Sequence, residues 1–167
     1  RRQRQMCIRD RIHVLEHLDR LIEIFSACWP LYAAMPALLK SAFEHAYIRH
    51  GWDLNHSIHI DVGNGKYPTF LDVVDILPEL LEKSEFSAQT KGDYIGSLVT
   101  RVESLTNGLL GQIFSENAVE DSVMFDENTI VDLSRIGSTE TKALLMGVIV
   151  LKLNEYRQST ATGTNCP

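Results

Sequence analysis

The chain is poor in the residues and motifs from which most sites are built. Its three cysteines, Cys7, Cys28 and Cys166, lie far apart and form no CxxC pair. That leaves out a disulfide framework and a zinc ribbon. No G-x-x-x-x-G-K-[ST] string occurs. The nearest match, Gly63-Asn64-Gly65-Lys66, runs into Tyr67-Pro68. It lacks the glycine spacing, the magnesium-binding hydroxyl and the preceding strand of a phosphate loop, and reads as a solvated turn. No apolar run is long enough to span a bilayer. The most apolar stretch, Ala143 to Leu153, is interrupted by Gly147 and Lys152. The basic start is not followed by the apolar core and cleavage site of a secretory signal. Five prolines and ten glycines in 167 residues are too few for a low-complexity chain. What remains is one cytoplasmic globular domain with a single moderate core.

Basic residues are scarce once the first eleven positions are set aside. RRQRQMCIRDR has no helical or strand period and stops where the apolar pattern begins. Residues 1–11 read as the in-frame translation of a sequencing-library adapter, a non-native segment that takes no part in the fold. The other reading is a basic tail that touches nucleic acid. Without residues 1–11, Lys+Arg falls from 16 to 11 and Asp+Glu from 22 to 21, so the net charge moves from -6 to -10. So acidic a body argues against nucleic-acid binding by this segment alone.

What is present is mostly helical period. Val14, Leu15, Leu18, Leu21, Ile22, Phe25 and Cys28 mark one face of a first helix, which Trp29-Pro30 should stop. A second helix is expected from about Pro36 to Arg49, closed by Gly51 as a left-handed cap with Trp52 packing back. Asn55 to Tyr67 is a polar loop. Thr69 and Asp72 have capping-box spacing at the head of a third helix, in which Pro78 should make a kink or a break. Ser87 to Leu105 is a fourth helix ended by Asn107-Gly108, with Leu109 to Phe114 as a tight loop beneath it. Near Asp126 the texture changes. Asn128 to Ser134, NTIVDLS, predicts a buried strand, and Ser138 or Thr139 caps a helix to about Tyr156. That helix is apolar nearly all round, which predicts cover on more than one side. A lone strand cannot complete a sheet, so its neighbours are expected elsewhere in a longer chain or in another one. The fold class is therefore mostly α with a small α/β part: a helical region over 12–115, then 116–167 with a strand at about 128–134 and a buried helix at about 138–157.

Few residues suggest chemistry. His13 and His17 share a helical face, but Val14 stands where a metalloprotease helix carries Glu, Glu16 is displaced, and no third ligand is evident. His56 and His59 lie in the polar loop, where surface or capping roles suit them. Cys28 reads as a small packed residue. Metal ligands are expected nowhere. Asp132 and Ser134 would sit at the carboxyl end of the expected strand, where open α/β sheets collect ligands. Asp132 could equally orient its own loop. Arg135, just beyond, reaches either a phosphate or solvent. Arg101 lies on an apolar helix between Thr100 and Val102. It is a surface arginine or one that acts in trans on a neighbouring subunit.

Four strings occur in order: VLEHLDRLIEIFSACWPLYAAMPALLKSAFEHAYIRHGWDL, YPTFLDVVDILPEL, GDYIGSLVTRVESLTNGLLGQIF and NTIVDLSRIGSTETKALLMGVIVLKLNEYR. Together they resemble the central portion of bacterial ATP-binding proteins of the HerA/FtsK superfamily, across Ile12 to Pro167. The resemblance implies a helical insertion of a RecA-like P-loop ATPase domain, followed by a return to the sheet near Thr129 to Leu133 and a helix leading to the Walker B strand. It implies a parent that hydrolyses ATP with Mg2+, forms a homo-oligomeric ring and moves or unwinds DNA. Asp132, Ser134 and Arg135 would then lie near the nucleotide, and Arg101 at a subunit interface. The family's phosphate-binding lysine, magnesium-binding hydroxyl and catalytic acid have no matching position here. The chain is therefore expected to be an internal fragment that by itself binds no cofactor and catalyses nothing. The competing expectation is a freestanding helical protein-interaction module without catalysis.

Overall fold

A computed structural model describes residues 12–61, 67–114 and 119–163. The chain is mostly helical, with a small two-stranded antiparallel sheet. It divides into two compact units, Arg1–Trp29 with Val119–Pro167, and residues 30–118 between them. Each is taken by itself.

The first unit is built on α1 (Val14–Cys28) and the long α8 (Thr139–Gly163), which pack together. The apolar stripe of α1 goes inward: Val14, Leu18, Leu21, Ile22 and Phe25 are buried. His13 caps the helix, its Nδ1 accepting the Leu15 N–H at 3.3 Å. The helix stops before Pro30 as expected, with Trp29 extended and its ring edge-on to Phe25 at 4.8 Å. Opposite, α8 supplies Leu144, Leu145 and Leu151. At Gly147 the two helices come close. A Cβ there would stand 2.6 Å from Cγ2 of Ile24, so only glycine fits without moving that side chain. A short helix, α7 (Asp121–Asp126), lies against α8, tied by Lys152 to Asp121 at 2.8 Å and by Arg157 to Asp126 at 2.8 Å.

One expectation fails in this unit. The segment 128–134 forms no strand; it runs without regular structure, and Ile130 is 94% exposed. A strand needs a ladder to satisfy its N–H and C=O groups. Among the described residues no strand pairs with this one. Of α8, expected to be covered on more than one side, α1 and α7 cover part, while Met146 and Val150 are exposed. Its start is as read, with the Ser138 hydroxyl accepting the Thr141 N–H at 3.2 Å.

The second unit holds α2 (Met35–Arg49), β1 (Trp52–Asp53), β2 (Ile58–His59), α3 (Phe70–Lys83), α4 (Ala88–Tyr94), α5 (Thr100–Ser104) and α6 (Gly108–Ile113). A π-helical turn, Ile95–Val99, joins α4 to α5. The core lies between α2 and α3, where Leu39, Ala42, Val73 and Leu77 are fully buried, and continues to Leu98, Val102 and Leu105. Phe70 fills the end of this layer, edge-on to Phe43 at 5.8 Å and to Phe114 at 4.9 Å. Gly51 caps α2 at φ +85°, a conformation that suits glycine. Pro78 does not divide α3, which runs unbroken from Phe70 to Lys83. The loop read over 55–67 contributes β2, held in a hairpin by Trp52↔His59 and Asp53↔Ile58. The residues read as a loop at 109–114 form α6 instead. It opens on Gly108 itself, at φ +59°.

Candidate functional site

The residues singled out for a nucleotide fall in both units. Arg101 is half-buried on α5 in the second unit. Asp132, Ser134 and Arg135 are exposed in the first. The Asp132 carboxylate accepts the Ser134 N–H at 2.8 Å, and this bond, joined by the Ser134 side chain, holds its carboxyl below the usual range. Asp132 thus braces its own turn, one of the two roles left open by sequence. Among the described residues no group of three His, Cys, Asp or Glu is placed to hold a metal. Gly63 to Lys66, Cys7 and Cys166 lie outside the described residues.

The histidines have structural partners. His17 donates from Nδ1 to both oxygens of Glu155, at 2.9 and 3.0 Å, and so joins α1 to α8. His13 caps the helix. His56 donates to Asp53 at 2.7 Å inside the hairpin turn. The Cys28 thiol is pushed up by burial, which makes it a poor nucleophile.

A denser polar cluster forms where α2 ends and α3 begins. The His50 ring donates from Nε2 to Asp72 at 3.0 Å. The second Asp72 oxygen takes the Thr69 N–H at 2.6 Å and the Thr69 hydroxyl at 2.8 Å, completing the capping box. His59 donates from Nε2 to the His50 carbonyl at 2.6 Å, while its Nδ1 accepts the Asp61 N–H at 2.9 Å. Around it Trp52 meets the Tyr67 ring at 5.1 Å and the edge of Tyr47 at 5.8 Å. Sequence exposed the Thr69–Asp72 half through its spacing. The His50 half was invisible, because it depends on how α2 and α3 pack. The cluster has the geometry of a clamp: every polar atom just named is engaged within the protein.

Partial burial opposes ionisation of Asp72, but His50 and the two Thr69 donors outweigh it and hold the carboxyl below its ordinary range. A depressed carboxylate stabilises the fold above its unfolded pKa of about 3.9, and that stability is lost as pH falls through the lower folded value. Asp72→Asn is therefore expected to destabilise the second unit by about 1 kcal/mol at neutral pH, the scale of one helix cap. Thermal melts of both proteins across the acid range check it: the gap should close below about pH 4. A gap independent of pH would refute the electrostatic account.

No helix among the described residues is long and apolar enough to cross a membrane. No family model, curated protein or solved structure matches the chain.

Proposed function

We propose that this chain is part of a cytoplasmic, ATP-hydrolysing DNA translocase or helicase of the HerA/FtsK type, a homo-oligomeric ring that uses ATP and Mg2+. The order of the four strings supports the reading. The observation that carries it is the stretch from Asn128 into α8. Apolar β-branched residues stand in water without a ladder, an Asp132–Ser134 turn follows, and a Ser138-capped helix begins. That is the outline of a strand, loop and helix that lacks its sheet. Nucleotide chemistry belongs to residues outside this chain; the 167 residues by themselves should hydrolyse nothing.

The test is the coding DNA on either side, with the activity of its product. An upstream GxxGxGK[ST] and a downstream apolar strand ending in two acids are expected, and the longer protein should hydrolyse ATP. Start and stop codons close to residues 1 and 167 would overturn the reading in favour of a freestanding helical interaction module. The uncovered side of α8 is the feature that favours that second reading.

A further inference from the structure

We propose that His59 is a proton sensor: on taking up a proton its Nδ1 exchanges the Asp61 N–H for the Asp61 carbonyl, and so turns the backbone that follows β2. Nδ1 stands 2.9 Å from both of those groups. An imidazole nitrogen can serve them only in turn, accepting when bare and donating when protonated. The neutral ring, with its proton on Nε2, accepts the Asp61 N–H. In the charged ring both nitrogens donate. The Asp61 N–H is then turned away, and the carbonyl takes its place.

The rest of the ring is held. Nε2 donates to the His50 carbonyl at 2.6 Å in either state. That carbonyl stands at the end of α2, where a helix leaves its last carbonyls without an N–H of their own. The ring lies edge-on to Trp52, its cross-strand partner, at 5.5 Å. On another side a Cβ at Gly51 would stand 3.3 Å from Nε2, so the cap of α2 closes on the ring. The Ile60 N–H, bonded to the Gly51 carbonyl at 2.9 Å, fixes the chain just before the switch. Asp61 is exposed, so it is the residue that yields.

The ionisable groups of the elements packed around the ring have their own partners. His50 donates to Asp72 on α3, and His56 to Asp53 in the hairpin turn. Arg49, in the last turn of α2, meets Glu79 at 3.0 Å. Tyr47 and Tyr67 stand against Trp52. Asp72, as described, and Asp53, through the His56 hydrogen bond, lie below the usual carboxylate range. Both therefore stay ionised above about pH 5. Histidine is the side chain that changes charge between about pH 5 and 8. The experiment must therefore separate His59 from His50 and His56.

This inference does not rest on the ATPase reading. NMR of the 167-residue chain from about pH 8 to about pH 5 reads it in two places. The His59 ring should pass from one protonated nitrogen, Nε2, to two. With the same midpoint, the Asp61 amide should lose about fivefold of its protection against solvent exchange, the loss of one hydrogen bond of ordinary strength. His59→Asn keeps an acceptor for the N–H two residues on, as in an Asx-turn, but takes up no proton. Its Asp61 amide should stay protected across the range. A ring that carries its proton on Nδ1 at the upper pH overturns the proposal, as does Asp61 protection that does not follow the ring. So does a His59→Asn protein with the pH response of wild type, which would assign that response to His50 or His56. Should the variant not fold, the two wild-type readings decide.

Discussion

Phe25→Ala is expected to destabilise the first unit by about 3–5 kcal/mol, the range for emptying a buried aromatic site. Phe25 is fully buried on α1 and meets Trp29 edge-on at 4.8 Å. The substitution removes the transfer energy of the ring, leaves a cavity and abolishes the aromatic contact. A domain is held by only about 5–15 kcal/mol, so the loss takes a large share of that margin. The chain has two tryptophans, one in each unit. Thermal unfolding followed by fluorescence in a Trp52→Phe background therefore reports on Trp29 alone. Its midpoint should fall sharply. A midpoint within a degree or two of the parent, on the order of 0.5 kcal/mol, would mean that α1 and α8 do not meet as described.

The second large effect concerns turnover. In the longer ATPase proposed above, Arg101→Ala should lower the hydrolysis rate by about a thousandfold or more while sparing ATP binding, the signature of an arginine that acts in trans. Arg101 is half-buried and held by a helix directly after the π-helical turn. Its neighbour Val102 is fully buried. Its backbone is anchored by that burial. Steady-state hydrolysis and a nucleotide-binding titration on the same preparation separate the two effects. Unchanged turnover removes Arg101 from the mechanism. A loss of binding equal to the loss of turnover assigns it to structure instead.

Helices were legible wherever one apolar stripe met a stop signal. Val14 to Cys28 was read to the residue, because Phe25 ends a continuous stripe and Pro30 forbids its extension. The helix expected from about Pro36 to Arg49, which begins at Met35, and the Thr69–Asp72 cap follow from equally local rules. The failure at 128–134 has one cause. NTIVDLS has the composition of a strand, but a strand is decided by its partners, and composition names none. At the site, Thr69 and Asp72 are three residues apart and could be paired by spacing. His17 and Glu155 are separated by 138 positions, and no local rule joins them. Leu109 to Phe114 was too short, and too close to two glycines, for its helical period to show.

The π-helical turn at Ile95–Val99 has a consequence for how this region tolerates change. Its widened bond runs from the Thr100 N–H to the Ile95 carbonyl. In a regular α-helix, residues four apart drift around the axis by about 40° per step. Tyr94, Leu98 and Val102 are spaced by four, yet all three are buried. The wide turn absorbs the drift. It behaves as a one-residue insertion that the helix has already accommodated, and it gives this stretch slack that α2 and α3 lack. Losing one residue from 95–99 would tighten the turn to an ordinary α-helix and leave the segments on either side in place. The same loss inside α3 would swing everything after it by about 100° and turn its apolar stripe toward water.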